Sequence, residues 1–333
     1  MKKISLVTGA NGHLGNNLVK ELLKKGEKVR AGVRNVNDRE VFEGLDCEIV
    51  YADLFDKESL KKALEGVSTL YQVAAVFKHW SENPEKEIIE PNIIGTTNIL
   101  EAAKKANVEK VVYVSSAFAL ELYERNTRNK VDETSWMKSN KDHAYALAKT
   151  ESEKLAWKLA NELELNMVSV LPGSIVGGEY TKINTPSGGM FAAIVNGKMN
   201  LTFDTTISPI DANDVAKGMI LAAEKGINGT RYILAPENPL SLDRIYEIAR
   251  KVNPQIQEPK RMNKEELLAL AEKMELNAKE TKIPPLLPIC TVKAFYGALR
   301  DYDLTTTISD LGFEHSETDE VLERYFNKIL IKA

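Results

Sequence analysis

Ile4-Ser5-Leu6-Val7-Thr8-Gly9-Ala10-Asn11-Gly12-His13-Leu14-Gly15 decides the fold of this 333-residue chain. A short apolar run enters a glycine turn, and an amphipathic segment from 12 to 24 follows. That is the passage from a buried strand to a helix whose N-terminus stays bare. Phosphate binds at such a terminus because backbone N–H groups point at it unobstructed. Gly9 allows the tight turn, Gly12 lets a pyrophosphate approach, and Gly15 allows close packing of helix and sheet. The spacing Gly-x-x-Gly-x-x-Gly is one residue longer than the usual dinucleotide loop, so the flanking strand and helix carry the reading.

Outward from this loop, the first half alternates short apolar runs with amphipathic segments. This predicts a doubly wound α/β fold of Rossmann type, a parallel sheet covered by helices. Strands are expected at 4–8, 28–33, 47–51, 69–73, 110–115 and 167–171, with helices at 12–24, 60–64, 92–106 and 145–163. Val111-Val112-Tyr113-Val114 is apolar on both faces, as a buried parallel strand must be. After Pro172-Gly173 the pattern breaks at Gly177-Gly178, Pro186 and Gly188-Gly189. Helices are expected at 190–195, 213–224, 243–252 and 264–276, and strands at 207–210 and 231–234. Asp211 or Asn213 is a candidate cap for the helix from 213. The predicted division gives 1–175, with 205–236, to a nucleotide-binding domain. Residues 176–204 and 237–333 form a smaller, mostly helical substrate lobe.

Composition sets the outer bounds. The chain is 43% hydrophobic with net charge −4, which argues against a nucleic-acid binder with a basic face. No apolar stretch reaches the ~18 residues of a membrane span, and the two cysteines, Cys47 and Cys290, supply no disulfide framework. A reducing, cytoplasmic setting is expected. No pair among His13, His79 and His143 has metal-ligand spacing, so no metal is expected.

Two further features carry chemistry. The second strand ends Val29-Arg30-Ala31-Gly32-Val33-Arg34 with no carboxylate. A carboxylate there would bind a ribose 2′-hydroxyl, whereas the Arg34 fork suits a 2′-phosphate. NADP is therefore expected as cofactor, NAD less so. Asp53 ends the third strand, where it either accepts from the adenine amino group or caps a turn. At mid-chain, Tyr145 and Lys149 stand one helical turn apart, downstream of Ser115-Ser116 at a strand end. An ammonium beside a phenol favours the phenolate, which suits a tyrosine acid/base. Ser116 is placed to donate to a carbonyl oxygen.

Thr8–Gly15, Asp53-Leu54, Val73-Ala74-Ala75, Asn92 with Gly95-Thr96, Ser115-Ser116-Ala117, Tyr145–Lys149 and Pro172-Gly173 occur in that order over roughly the first 235 residues. In this the chain resembles the extended short-chain dehydrogenase/reductases, the NAD(P)-dependent epimerase/dehydratase group. The run Val29–Arg34 and Ala75-Val76-Phe77-Lys78-His79-Trp80 resemble its dihydroflavonol 4-reductase-like branch.

The resemblance implies a catalytic set of Ser116, Tyr145 and Lys149. It implies a pyrophosphate loop of Gly9, Asn11, Gly12, His13 and Leu14, and a 2′-phosphate contact at Arg34. Asp53 and Leu54 would line the adenine pocket, Ala74, Ala75 and Asn92 the cofactor loop, and Pro172 and Ile175 the carboxamide end. It further implies NADPH-dependent reduction of a small ketone or aldehyde, and a homodimer through the Asn92 and Tyr145 helices. Gln72 stands where the group usually has histidine, a structural variation. Ala119-Leu120-Glu121 replaces the aromatic-glycine pair of sugar-nucleotide enzymes.

The expected substrate pocket is apolar or aromatic, from Phe77, Trp80, Phe118 and Pro209, with Tyr296 a further candidate. The alternatives are a sugar-nucleotide epimerase or dehydratase holding NAD and a hydroxysteroid-type dehydrogenase. An epimerase would need a cationic diphosphate site, for which Arg231, Lys260, Arg261 and Arg300 are the candidates.

Overall fold

A computed structural model describes residues 3–121, 123–124, 130–138, 142–183 and 185–332. Its centre is a seven-stranded, all-parallel sheet. The strands are β1 (Ile4–Thr8), β2 (Lys28–Val33), β3 (Glu48–Tyr51), β4 (Thr69–Gln72), β5 (Lys110–Val114), β6 (Met167–Pro172) and β7 (Arg231–Leu234). Their spatial order is β7-β6-β5-β4-β1-β2-β3. From β1 the chain winds outward through β2 and β3; it then returns to β4 and winds the other way. Ser5 consequently pairs with Val29 on one side and Thr69 on the other. Connections leave β1 and β4 in opposite directions, and this opens a crevice at their C-terminal ends, where doubly wound folds bind ligands.

Successive strand residues face opposite sides. Leu6, Leu70 and Val111 pack under α2 (Lys57–Leu64), α3 (Glu90–Lys105) and α4 (Ala144–Glu162), together with Leu60, Ile99 and Ala156. Their neighbours Val7, Tyr71 and Val112 pack under α1 (His13–Lys24) and α6 (Ala212–Lys225), together with Leu18, Val19 and Met219. Leu18 is fully buried, and Leu18→Ala is expected to cost about 2–5 kcal/mol. A separate apolar cluster joins α5 (Pro186–Val195), α7 (Leu242–Val252), α8 (Lys264–Thr281), α9 (Ile289–Phe295) and α11 (Thr318–Lys332), through Phe191, Ile245, Leu267, Val292, Tyr325 and Phe326. The short α10 (Thr305–Leu311) packs on α6 and β7 instead. Among the described residues no helix is long and apolar enough to cross a membrane.

The structure departs from the expected elements where caps or kinks intervene. The helix expected from 60 starts at Lys57, because the Asp56 carboxylate accepts from the Glu58 and Ser59 N–H groups. The helix expected from 190 starts at Pro186, capped by the Thr185 hydroxyl, so that proline begins a helix rather than breaking one. The strand expected at 207–210 is two. Thr206–Ile207 pairs antiparallel with Leu240–Ser241, whereas Pro209–Asp211 pairs parallel with Ser174–Val176. The chain changes partner at the buried Ser208. Asp211, not Asn213, caps α6.

Candidate active site

The crevice at the ends of β1 and β4 widens into a cleft of about 700 Å3. That lies within the range of about 300–1,000 Å3 usual for cofactor sites. Every residue expected to hold cofactor lines it: Gly9, Asn11, Gly12, His13, Leu14, Arg34, Asp53, Leu54, Ala74, Ala75, Asn92, Tyr145, Lys149, Pro172 and Ile175. Ser116, Phe77 and Phe118 line it as well. Trp80 is half-buried and outside the lining. Pro209 is buried in its strand opposite Ser174, and Tyr296 stacks on Phe203. The structure therefore does not bring these three to the cleft.

At one end sits the glycine turn. Gly9 has φ +64°, a left-handed conformation that favours glycine. A Cβ on Gly15 would fall 2.3 Å from the Gly9 carbonyl oxygen, so Gly15 is demanded by the turn's own backbone rather than by the sheet. Gly12 caps α1 without a side chain, leaving the first N–H groups of the helix toward the cleft. The Thr8 hydroxyl donates to Gln72 Oε1 at 2.8 Å and accepts from the Val73 and Ala74 N–H groups at 3.0 and 3.1 Å. Gln72 Nε2 closes the turn onto the Ala74 carbonyl at 2.9 Å. Gln72 thus fixes the loop beside the glycines, consistent with reading it as a structural variation.

Asn92 holds the next segment. Its amide accepts from the Val76 N–H at 3.0 Å and donates to the Val76 and Ile88 carbonyls. Asp53 Oδ1 accepts from the Phe55 N–H at 3.0 Å, the geometry of a turn aspartate. Asn11 donates to Asp38 at 2.8 Å, and His13 Nε2 meets the Gly177 carbonyl at 2.9 Å. Arg34 is exposed, and among the described residues its guanidinium has no ion-pair or hydrogen-bond partner. A planar fork on the cleft wall is therefore free to take a phosphate.

At the other end, the Ser115-Ser116 pair divides its work. The Ser115 hydroxyl donates inward to Glu153 at 2.6 Å, while Ser116 Oγ accepts from the Phe118 N–H at 3.2 Å and lines the cleft together with Tyr145. Burial pushes the Tyr145 phenol well above its ordinary value, the nearby Ser116 hydroxyl pulls it down, and Tyr113 adds to the rise. Burial draws the Lys149 ammonium down to about 8, opposed by Glu153. Lys149 Nζ donates to the Val114 carbonyl at 2.9 Å. The expectation that Lys149 lowers the phenol does not describe this state: desolvation dominates, and the phenol keeps its proton.

Around Tyr145 stands an aromatic cluster. Phe77 is 4.7 Å from it between ring centroids, and His79 and Phe118 are each at 5.5 Å. His143 and Phe295 complete the group, each 5.2 Å from Phe118. Of these, Phe295 was not expected at the pocket, where its neighbour Tyr296 was the candidate. Lys182, Thr185 and Ser187 also line the cleft unforeseen. Thr185-Pro186 is a helix-start pair, the signal that could have found them.

Three of the four candidate cations are engaged elsewhere. Arg231 is buried in a fork with Glu153 at 2.9 and 3.0 Å, and its guanidinium lies 3.8 Å over the Trp136 ring. Lys260 pairs with Glu266 at 3.0 Å, and Arg261 with Asp243, both at exposed positions outside the cleft. Among the described residues no group of three or more His, Cys, Asp or Glu side chains is placed to hold a metal.

Comparison with known proteins agrees with this geometry. A family model described as the NAD dependent epimerase/dehydratase family matches residues 5–235. Sterol demethylase protein B of Methylococcus capsulatus is 34% identical over 236 residues, 70% of each chain. Anthocyanidin reductase of Arabidopsis thaliana is 30% identical over 260 residues, covering 71% of this chain and 76% of its own. The crystal structure of gox2253 superposes with a TM-score of 0.83 at 28% identity, over 99% of both chains.

Proposed function

Because the chain belongs to the NAD dependent epimerase/dehydratase family, whose members are NAD(P)-dependent oxidoreductases, we propose that it is an NADPH-dependent reductase of a ketone or aldehyde. The observation that carries this is the shape of the cleft: a glycine turn and a free Arg34 at one end, and Ser116, Tyr145 and Lys149 at the other. The residues at the two ends fit a dinucleotide phosphate. The N-terminal N–H groups of α1 receive the pyrophosphate. Arg34 receives the 2′-phosphate, Asp53 and Leu54 border the adenine, and Ala74 and Ala75 lie alongside. Pro172 and Ile175 meet the carboxamide. In this division 1–175 with 205–236 hold the nucleotide, and 176–204 with 237–333 the substrate.

When bound, NADPH supplies the hydride that reduces the carbonyl carbon. The chain's own groups manage the oxygen. Tyr145, protonated at neutral pH because it is buried, donates its proton to the oxygen as the carbon is reduced, which yields the alcohol and leaves a phenolate. Ser116 donates a hydrogen bond that orients the oxygen. Lys149 spends one of its three donors on Val114; the others remain for the ribose hydroxyls, and its charge stabilises the phenolate. Phe77 and Phe118 exclude water from the reacting atoms.

The sugar-nucleotide reading is less favoured, because Arg231, Lys260 and Arg261 are committed elsewhere. The test is NADPH oxidation against a panel of aromatic and aliphatic ketones and aldehydes, with Tyr145→Phe alongside. Turnover that survives in Tyr145→Phe would reject the mechanism. Purification with retained NAD, together with conversion of a sugar nucleotide, would reject the reductase.

A further inference from the structure

Tyr145, Lys149 and Glu153 are spaced four apart along α4, so the three share one face of the helix. That face is buried: Lys149 is 4% exposed and Glu153 is fully enclosed. The Glu153 carboxylate accepts from five donors: the Ser115 and Ser169 hydroxyls at 2.6 Å each, Arg231 Nε and Nη2 at 2.9 and 3.0 Å, and the Trp157 indole at 3.3 Å. Ser115 follows β5, Ser169 lies in β6 and Arg231 in β7, so one side chain ties the catalytic helix to three neighbouring strands. For stability alone, well-packed apolar residues of similar volume often serve as well as a buried ion pair. The place of this carboxylate, one turn beyond Lys149, gives it a further use.

Lys149 needs such a neighbour. Its Nζ donates to the Val114 carbonyl at 2.9 Å, and burial disfavours its charged form. The groups around it are uncharged: Asn92 and Thr96 from α3, Gln72 from β4 and the Tyr113 phenol from β5. Tyr145, one turn earlier, keeps its proton. Charges on the elements packed against α4 are engaged elsewhere: Glu87 with Lys78 at 3.1 Å, Glu101 with Lys57 at 3.2 Å, and Lys104 with Glu164 at 3.9 Å. Lys110 stands at the other end of β5, bonded to Asn166 and the Gly226 carbonyl. Among the described residues, Glu153 is the carboxylate that raises Lys149, and it acts through space as a charge.

Arg231 does not cancel that charge at Lys149. Lys149 is bonded to β5 and Arg231 belongs to β7, two strands away, roughly 10 Å across the sheet. Glu153, bonded to Ser169 of β6, lies between them, so the anion is the nearer charge. We propose that Glu153 is a positioning residue that keeps Lys149 charged in its buried place, and so sets the upper pH at which the enzyme turns over. The effect on turnover rests on the reductase reading, in which the Lys149 ammonium stabilises the phenolate left on Tyr145. The effect on Lys149 itself does not.

The experiment follows Lys149 directly, by NMR titration of the full-length protein isotopically labelled at lysine Cε. The Lys149 signal is identified by its loss in Lys149→Met. Wild type is expected to titrate at about 8. Glu153→Gln is expected to bring the midpoint down by about one pH unit or more, and the alkaline limb of reductive kcat/KM should move with it. Glu153→Asp keeps the charge and should leave the midpoint within about half a pH unit of wild type, even where the loosened fork lowers the plateau. Glu153→Gln leaves a buried guanidinium unpaired, which destabilises the fold. The double variant Glu153→Gln/Arg231→Gln removes both charges and should still titrate below wild type, by a smaller amount. Melting curves identify which variants fold. A midpoint that stays at the wild-type value in folded Glu153→Gln or in the folded double variant overturns the proposal. So does an equal fall in Glu153→Asp, which would assign the effect to packing. If no carbonyl is reduced while the Lys149 midpoint still follows the charge at 153, the reductase reading fails and the role of Glu153 stands.

Discussion

The two ends of the cleft are built from different materials. The nucleotide end is made of backbone: the Gly9 turn, the bare start of α1, and a loop tied by Thr8, Gln72 and Asn92. Its parts sit at the ends of adjacent strands, so sheet order alone assembles them. The carbonyl end is made of side chains from distant segments: Phe77, His79 and Phe118 meet around Tyr145, His143 and Phe295 pack behind Phe118, and Arg300 lies over Phe295. Backbone geometry recurs wherever the same turn is needed, and it admits one class of ligand. Side-chain clusters can be rebuilt while the fold stays intact, which is how one scaffold serves many substrates. In the proposed reductase, cofactor chemistry belongs to the first end and substrate choice to the second.

Breaking each end separately tests that contrast. Tyr145→Phe removes the proton donor but leaves the ring among its aromatic neighbours. The expected loss in kcat/KM is about 10²–10⁴-fold, with NADPH affinity nearly unchanged. A comparable loss of NADPH affinity would show that the two ends are not separable. Arg34→Ala acts at the opposite end. It should erase about 10- to 100-fold of preference for NADPH over NADH, measured as the ratio of kcat/KM for the two nucleotides. Substrate selectivity measured with either nucleotide should stay the same. An unaltered NADPH/NADH ratio removes Arg34 from the 2′-phosphate site.

A pH profile sharpens the carbonyl end. Lys149 is held down to about 8 by burial, so its charge is present below that pH and lost above it. The Tyr145 phenol is pushed up, so it stays protonated across the same range. Reductive kcat/KM should therefore fall as pH rises past about 8, approaching tenfold per unit. Lys149→Arg keeps a charge at every working pH. It should abolish the alkaline limb even if the plateau is lower. A limb that persists in Lys149→Arg belongs to another group.

The same contrast explains what could be read from the sequence. All seven strands of the sheet were legible, most plainly where burial on both faces makes a continuous apolar run, as in Val111–Val114. Ser116, Tyr145 and Lys149 were legible because helical spacing and strand ends fix their positions. Ser116 was read at its strand end from the sequence alone; the structure adds a physical reason for the choice within the pair, a Glu153 carboxylate that claims Ser115. Helix starts at Asp56 and Thr185 went unread, since a cap is one side chain against a long apolar pattern. Trp80 and Pro209 were expected at the cleft because aromatic and apolar residues look alike in sequence whether they line a pocket or fill a core. Arg300 was visible only as one of several cations. It is buried beside Phe295 and bonded to the Thr206 carbonyl, next to the point where the single expected strand becomes two.

The smallest expected effects test the margins of the substrate end. Lys260 and Arg261 lie on a short exposed strand paired with Leu201–Thr202, and their carboxylate partners are surface groups. Exposed ion pairs of this kind contribute little, about 0–1 kcal/mol. Lys260→Ala and Arg261→Ala should therefore leave kcat/KM for any reduced carbonyl within about twofold, and the melting temperature within a degree or two. A rise in KM of tenfold or more in either variant would mean that the substrate extends out of the cleft toward this strand, as a diphosphate-bearing ligand would require. The division between a backbone-built nucleotide end and a compact carbonyl end would then have to be redrawn.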